Sequence, residues 1–170
     1  RIGVLAPRYF FVDVRINNQK VGIMALEEHF TKEMVEAQSR REGPILAVDE
    51  DWIWQELFLC FNRNPTTCDT EGLGSSNLGG RDRQVKVFRA GGFNPGTVRS
   101  QHMMRAVSLF RDEIEGRKDE DLGFDLNLTS LWWMMVQVWE GQHGLAGINL
   151  RHYFNPITSR LEPVSFDNNS

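Results

Sequence analysis

The sequence lacks long apolar runs and an excess of basic residues, and it contains little cysteine. No apolar run approaches the roughly 18 residues that a membrane-spanning helix needs. Its 19 lysine and arginine residues are outnumbered by 23 aspartate and glutamate residues, which gives a net charge of −4. A nucleic-acid-binding surface requires clustered positive charge. We therefore expect no membrane span and no nucleic-acid partner.

The two cysteines leave two alternatives open. Cys60 and Cys68 flank the segment FNRNPTT, and they either close a small disulfide loop in an oxidising compartment or stay as free thiols. No histidine and no third cysteine lies near them in the sequence, so a metal site at this pair is not expected. No signal peptide is visible. The chain begins with Arg1 rather than Met, and we expect that the protein starts further upstream.

Hydrophobic periodicity organises the first third of the chain. FFVDVRI and KVGIMAL flank Asn17 and Asn18, which predicts a β-hairpin. EEHFTKEMVEAQSRREG predicts a helix that Thr31 caps and Gly43 ends, with SRREG as its solvated basic end. PILAV follows as a short buried strand. DEDWIWQELFLCF then predicts a helix that begins on acidic residues.

The remainder is predicted to be mostly helical, with a second hairpin at its end. Residues 62–83 are typical of a surface loop, and VKVF predicts a strand after it. TVRSQHMMRAVSLFRDEIEG predicts an amphipathic helix. DLNLTSLWWMMVQVWEG is apolar on nearly all sides, which is typical of a buried central helix; Asp125 or Asn127 would begin it and Gly141 would end it. INLRHYF and LEPV form the second hairpin around NPITSR.

Together these elements predict an α+β fold. We divide the chain into an N-terminal hairpin and helix region at 1–61, a flexible loop insertion at 62–83, and a mostly helical part at 84–170 that carries the second hairpin. No internal repeat separates them, and their length suits one domain. All three are therefore assigned to a single domain.

The second hairpin has an amide at its start and a carboxylate at its finish. Asn149 precedes its first strand and Asp167 follows its second. Mg2+ takes oxygen ligands and borrows others from phosphates, and kinase-type phosphoryl transfer uses an asparagine and an aspartate in this relation. The pattern therefore fits a magnesium site. It equally fits a hairpin without a ligand, in which Asn149 bonds its own backbone and Asp167 caps the next element.

Two stretches, within 9–48 and 124–167, follow a recognisable order of motifs. FFVDVRINNQKVGIMALEEHFTKEMVEAQSRREGPILAV fits the pattern V-x-V-x-x-N-G-x-Y-x-G-x-Y-x-L-x-E, followed by a helix and a strand. FDLNLTSLWWMMVQVWEGQHGLAGINLRHYFNPITSRLEPVSFD fits a Phe-Asp helix entry, a buried helix and N-x-x-x-Y-x-(D/N)-P-x-T-x-(K/R)-x-E-P-(I/P)-x-x-D. In this the chain resembles the spore-coat CotH kinase-like family, an atypical branch of the protein-kinase fold. Residues 50–120 match only loosely.

The resemblance implies a fragment of a two-lobed kinase-like fold, truncated at both ends, that uses Mg2+ and ATP to phosphorylate protein hydroxyls. Its partner would be a protein substrate or a surface or coat protein, and its location extracellular or on a cell or spore surface. Glu28 would orient the lysine that contacts the nucleotide phosphates, and Asn149 and Asp167 would be the magnesium ligands. Without a nucleotide, Glu28 is simply a solvated residue before a helix.

Two departures from the family pattern bear on catalysis. A kinase catalytic loop has an aspartate five residues before the metal-binding asparagine, and this chain has Gly144 there. His143 beside it is the substitute base that we consider. The phosphate-contacting lysine is expected upstream of residue 1. A catalytically degenerate, kinase-like binding or structural module is therefore the second hypothesis, and an unrelated α+β domain is the third.

Overall fold

A computed structural model describes residues 2–63, 84–88, 94–116, 123–145 and 147–167, without the side chains at 52, 53, 56 and 57. Helices and strands are mixed along the chain, which confirms the predicted α+β class. Two 3-10 helices lie at Gln142–Leu145 and Gly147–Asn149. The other elements are β1 (Tyr9–Ile16), β2 (Gln19–Glu27), α1 (Lys32–Ala37), β3 (Ile45–Val48), α2 (Asp51–Arg63), β4 (Val85–Val87), α3 (Val98–Ile114), α4 (Leu126–Val138), β5 (Arg151–Asn155) and β6 (Arg160–Pro163).

β1 and β2 form the predicted N-terminal hairpin. Asn17 and Asn18 have φ values of 49° and 64°, the left-handed pair that a two-residue hairpin turn requires and that asparagine tolerates. The strands pair only with each other. Apolar side chains are exposed along both, with Phe11 at 78% and Ile23 at 77%. Among the described elements, none packs against either face of this hairpin.

α1 is shorter than predicted. Thr31 caps it as expected, because its Oγ1 accepts a hydrogen bond from the backbone N–H of Met34 at 3.4 Å. Ser39 turns the chain after it with a φ of 61°, so the prediction that Gly43 ends this helix was wrong. Gly43 serves another purpose. A Cβ atom there would lie 2.3 Å from the carbonyl oxygen of Phe154 on β5, and glycine permits this close approach.

Arg40, in the basic segment after α1, pairs with a buried carboxylate. Arg40 Nε donates to Glu162 Oε2 at 2.8 Å, and the side chain of Glu162 is only 4% exposed. Asn155 Nδ2 donates to the other oxygen of the same carboxylate at 2.6 Å. The prediction of a solvated helix end was therefore wrong for Arg40. A carboxylate on β6, far along the chain, holds it in place.

The other four strands form one antiparallel sheet in the order β4, β3, β5, β6. One face packs against α3 in a core that includes Leu46, Phe110 and Phe154. The opposite face packs against α1 in a second core that includes Met34 and Tyr153. α3 and α1 therefore lie on opposite faces of the sheet.

α4 is less buried than predicted. Asp125 begins it as expected, and its Oδ1 accepts a hydrogen bond from the backbone N–H of Leu128 at 3.0 Å. Trp132 is buried, whereas Trp133 and Met134 are more than half exposed. The prediction of a central helix buried all round was therefore wrong. Described elements cover one side of α4 only.

α4 ends in a standard C-cap whose left-handed residue is a glutamate. Glu140 adopts a left-handed φ of 56°. Its N–H donates to the carbonyl oxygen of Gln137 at 3.4 Å, and the N–H of Gly141 donates to that of Val136 at 2.9 Å. This is the Schellman C-cap, in which the left-handed position is usually glycine. The helix ends at Val138, and the predicted Gly141 lies one position beyond the left-handed residue.

Glu140→Gly is expected to raise the free energy of unfolding by about 1 kcal/mol. A left-handed backbone costs an L-residue about 1–2 kcal/mol, and the larger unfolded-state entropy of glycine offsets part of the gain. Urea unfolding followed by circular dichroism measures the change. Glu115→Gly at the end of α3 is the control, since Glu115 has an ordinary φ of −82° and glycine should destabilise it. Equal effects of the two variants would contradict the prediction.

The predicted segments map onto the fold as follows. β3 belongs to the predicted region 1–61 and β4 to β6 belong to 84–170, so one sheet contains strands of both.

Cys60 is disulfide-bonded. Residues 64–83 of the predicted loop, which include Cys68, lie outside the described residues. No helix in the described ranges is long and apolar enough to cross a membrane.

Candidate functional site

The C-terminal hairpin brings Asn149 and Asp167 to the same end of the sheet. Asn149 ends a 3-10 helix just before β5, and Asp167 follows β6. Asn155 Oδ1 accepts a backbone N–H two residues further on at 2.9 Å and so shapes the turn. The backbone N–H of Val164 then donates to the carbonyl oxygen of Arg151 at 2.9 Å. The start of β5 and the end of β6 are therefore neighbours.

His143 lies between these two side chains. Asn149 Nδ2 donates to the backbone oxygen of His143 at 3.1 Å. His143 Nε2 lies 3.1 Å from Asp167 Oδ2. Asn149 is buried, whereas the imidazole of His143 is more than half exposed. The structure thus brings together the three candidate residues of the C-terminal half.

Gly144 occupies the position of the expected catalytic aspartate. It is buried in the 3-10 helix, and its N–H donates to the carbonyl oxygen of Gly141 at 3.1 Å. His143 is the ionisable residue of this turn, and Asp167 orients its ring. When Nε2–H donates to a carboxylate, Nδ1 is the nitrogen left to accept a proton. The geometry is therefore compatible with a base at position 143, one residue from the expected one.

Glu28 pairs with an arginine. Arg8 Nε and Nη2 donate to its two carboxylate oxygens at 2.9 and 2.5 Å, and its backbone N–H adds a third bond at 3.3 Å. These hydrogen bonds hold the pKa of the Glu28 carboxyl below its usual value. The resemblance implies a lysine partner for Glu28, and in the described residues Arg8 takes that position.

A cleft of about 270 Å³ lies on the face of the sheet that carries Ala47. Lys86 on β4 and Arg151 on β5 both pair with Ala47 on β3. Paired residues of neighbouring antiparallel strands project from the same face. Two cationic side chains therefore stand on either side of a small one. The cleft is lined by Glu27, Glu28, His29, Phe30, Ala47, Val48, Glu50, Lys86, Phe88, Arg151 and Phe166.

Arg151 is the inner cation of this cleft. Its side chain is 5% exposed, and Nη2 donates to Glu50 Oε1 at 3.1 Å. The rings of Phe30, Phe88 and Phe166 surround its guanidinium with centroids 5.8, 5.8 and 5.0 Å from Cζ, within the range of cation–π attraction. Burial lowers the pKa of Arg151, while Glu50 and Asp167 oppose that shift. Arg151 thus connects the cleft electrostatically to Asp167.

Lys86 is the outer cation. Its Nζ lies 2.7 Å from Asp51 Oδ1 at the start of α2, and its side chain remains 38% exposed. The hydrogen bond to Asp51 raises the pKa of the lysine, so Lys86 is charged near neutral pH. The sequence analysis did not identify Lys86 or Arg151 as site residues. Two features could have indicated them: a lysine lies between two valines in the strand VKVF, and an arginine begins a buried strand.

The side chains near His143 suit a hard divalent cation in part. The one side-chain hydrogen bond of Asn149 to a described residue uses Nδ2, so its Oδ1 is the atom left to bind a ligand. Asp167 adds a carboxylate, and carboxylate and amide oxygens are ligands that Mg2+ accepts alongside phosphate oxygens. In the described part of the chain, no group of three or more His, Cys, Asp or Glu side chains could hold a metal ion. A site here would therefore need oxygens from the bound ligand.

No protein-family model matches this chain, and no curated protein matches its sequence.

Proposed function

We propose that this chain is a CotH-like atypical kinase domain that binds Mg2+ and ATP and transfers a phosphoryl group to a protein hydroxyl. The convergence of Asn149 and Asp167 on His143, beside the cleft that contains Glu28, is the observation that supports it most. Phosphoryl transfer needs positioning and charge neutralisation more than covalent chemistry. Amide and carboxylate oxygens that can hold Mg2+, next to a cleft that contains Lys86 and Arg151, would supply both.

Each residue has a defined part in this proposal. Asn149 Oδ1 and the Asp167 carboxylate would hold Mg2+, which neutralises charge on the transferred group when bound. His143 Nδ1 would take the proton of the protein hydroxyl. Glu28, fixed by Arg8, would position the end of the first hairpin at the cleft. The cleft lies below the roughly 300–1,000 Å³ of typical ligand pockets, so its described lining suits the phosphate end of a nucleotide.

A kinase-like binding or structural module without transfer activity is the second candidate, and Gly144 favours it. A glycine has no side chain to accept a proton, and His143 lies one residue away on a 3-10 helix, where side chains point in different directions. Such a module would bind a surface or coat protein, and its nucleotide affinity would be weak or lost. The two candidates therefore differ in nucleotide affinity and in turnover.

Thermal unfolding of the chain with Mg2+ and ATP tests nucleotide binding. At a ligand concentration 100 times Kd, mass action adds about 2.7 kcal/mol, which for a domain of this size raises Tm by about 5–10 °C. Mg2+ alone and ATP with EDTA are the controls, and neither should reach the same Tm. An unchanged Tm in all three conditions would contradict the kinase proposal and leave a kinase-like module that has lost its nucleotide affinity or an unrelated α+β domain.

Transfer is tested separately with radiolabelled ATP, using the chain itself and casein as acceptors. The kinase proposal predicts label on a hydroxyl side chain and its loss in His143→Ala, which should still show the nucleotide-dependent rise in Tm. Binding without label in the unmodified chain would select the non-catalytic module. Label that persists in His143→Ala would remove His143 from catalysis.

A further inference from the structure

We infer that Lys86 is the residue that contacts the phosphate groups of the nucleotide, an assignment that rests on the proposed function. The resemblance places the phosphate-contacting lysine upstream of residue 1. Lys86 instead lies inside the described cleft, on a strand of the four-stranded sheet. Protein kinases use a lysine on a strand that pairs with a carboxylate on a helix. Asp51 on α2 provides that carboxylate.

The register of the sheet directs Lys86 toward the ligand. Lys86 and Arg151 pair with the same residue, Ala47, from opposite sides. Neighbouring strands are about 4.8 Å apart, so the two cationic residues start about 10 Å apart across the sheet. The methyl group of Ala47 leaves the space between them open. An anionic group that lies over Ala47 would be within reach of both cations.

The two cations differ in their availability to a ligand. Arg151 is almost completely buried, and its Nη1 and Nη2 atoms already donate to Ile148, Leu150 and Glu50. Lys86 is more exposed, and an ammonium group carries three donors, of which Asp51 takes one. The surface pair with Asp51 is worth little in stability. A phosphate can therefore recruit Lys86 at small cost, while Arg151 adds charge from below.

The acidic lining explains why the phosphate would lie at this end of the cleft. Glu27, Glu28 and Glu50 line the same cleft and repel an anion. Glu28 pairs with Arg8 and Glu50 pairs with Arg151, so these charges largely balance. Lys86 pairs with Asp51, which is not among the described residues that line the cleft, so an anion meets the least repulsion beside Lys86 and Ala47. The ligand class that fits is a polyphosphate carried by a nucleoside.

Lys86→Met tests this assignment by isothermal titration with Mg2+ and ATP, and with adenosine. We expect the affinity for ATP to fall on the order of 10- to 100-fold, the range for a lost hydrogen bond to a charged group, and adenosine affinity to stay unchanged. Lys86→Arg should retain most of the ATP affinity. Lys20→Met is the matched control, because Lys20 is an exposed lysine paired with Asp13 in the first hairpin.

Each other outcome contradicts this assignment in a distinct way. If the unmodified chain binds ATP and Lys86→Met binds it equally well, Lys86 is not the phosphate contact and the proposed function still stands. If Lys86→Met and Lys86→Arg lose ATP and adenosine alike, Lys86 acts on the fold rather than on the phosphates. If the unmodified chain binds no nucleotide, the proposed function and this assignment both fail.

Discussion

Asp167→Asn is expected to reduce strongly the magnesium-dependent part of nucleotide binding. Loss of a partner that merely orients a metal ligand typically costs 10–100-fold in affinity, and loss of a charged ligand should cost about 100-fold or more. Titrations with ATP in Mg2+ and in EDTA isolate this part. In Asp167→Asn the gain in ATP affinity that Mg2+ provides should be much smaller than in the unmodified chain.

The substitution is suited to this test because the fold should tolerate it. Asp167 has a left-handed φ of 48°, a conformation in which asparagine is also favoured, and the amide oxygen can still accept the hydrogen bond from His143. The contact between His143 and Asp167 is partly solvated, so we expect its change to cost at most about 1 kcal/mol in stability. Asp13→Asn, which removes a carboxylate in the first hairpin, is the control. A magnesium-dependent gain in affinity that is unchanged in Asp167→Asn would exclude Asp167 as a ligand.

The elements with local sequence signals were predictable. Asn17 and Asn18 predict a turn, and both have the left-handed backbone that the turn requires. Thr31 and Asp125 cap helices as their positions in the sequence indicate. The neighbourhood of Asn149 and Asp167 also follows from local structure, because both flank one hairpin. In each case the deciding interactions connect residues that are close in sequence.

The cations of the cleft could not be predicted in the same way. Lys86, Ala47 and Arg151 come from three separate segments, and they meet only because β3 lies between β4 and β5. That strand order has no signature in the composition of any one strand. The order of motifs in the family therefore predicts the phosphate-contacting lysine upstream of residue 1, whereas the sheet brings Lys86 to the cleft.

Burial of helices was misjudged for a related reason. The apolar residues of α4 predict burial on all sides, yet Trp133 and Met134 are exposed to solvent in the described structure. Periodicity reports which faces of a helix are apolar, not how many neighbours exist to cover them. The same reasoning applies to β1 and β2, whose apolar side chains are not covered by any described element.

Arg40→Met is expected to lower the free energy of unfolding by about 3 kcal/mol, the lower end of the range for breaking a buried ion pair. The Glu162 side chain is 4% exposed. In the variant, Asn155 would be its remaining hydrogen-bond donor among the described contacts. Arg40 itself is 23% exposed, which places the effect at the lower end. Urea unfolding followed by tryptophan fluorescence measures the loss.

Arg41→Met is the matched control for this prediction. Arg41 is the adjacent arginine with an exposed side chain, and its backbone oxygen, which accepts a hydrogen bond from the Tyr153 hydroxyl at 2.5 Å, is unaffected by the substitution. We expect a change within about 0.5 kcal/mol, as for most surface substitutions. Comparable losses in the two variants would show that general charge, not the pair with Glu162, sets the stability. A small loss in Arg40→Met would mean that Glu162 is solvated, and the second core would then need to be more open than the structure describes.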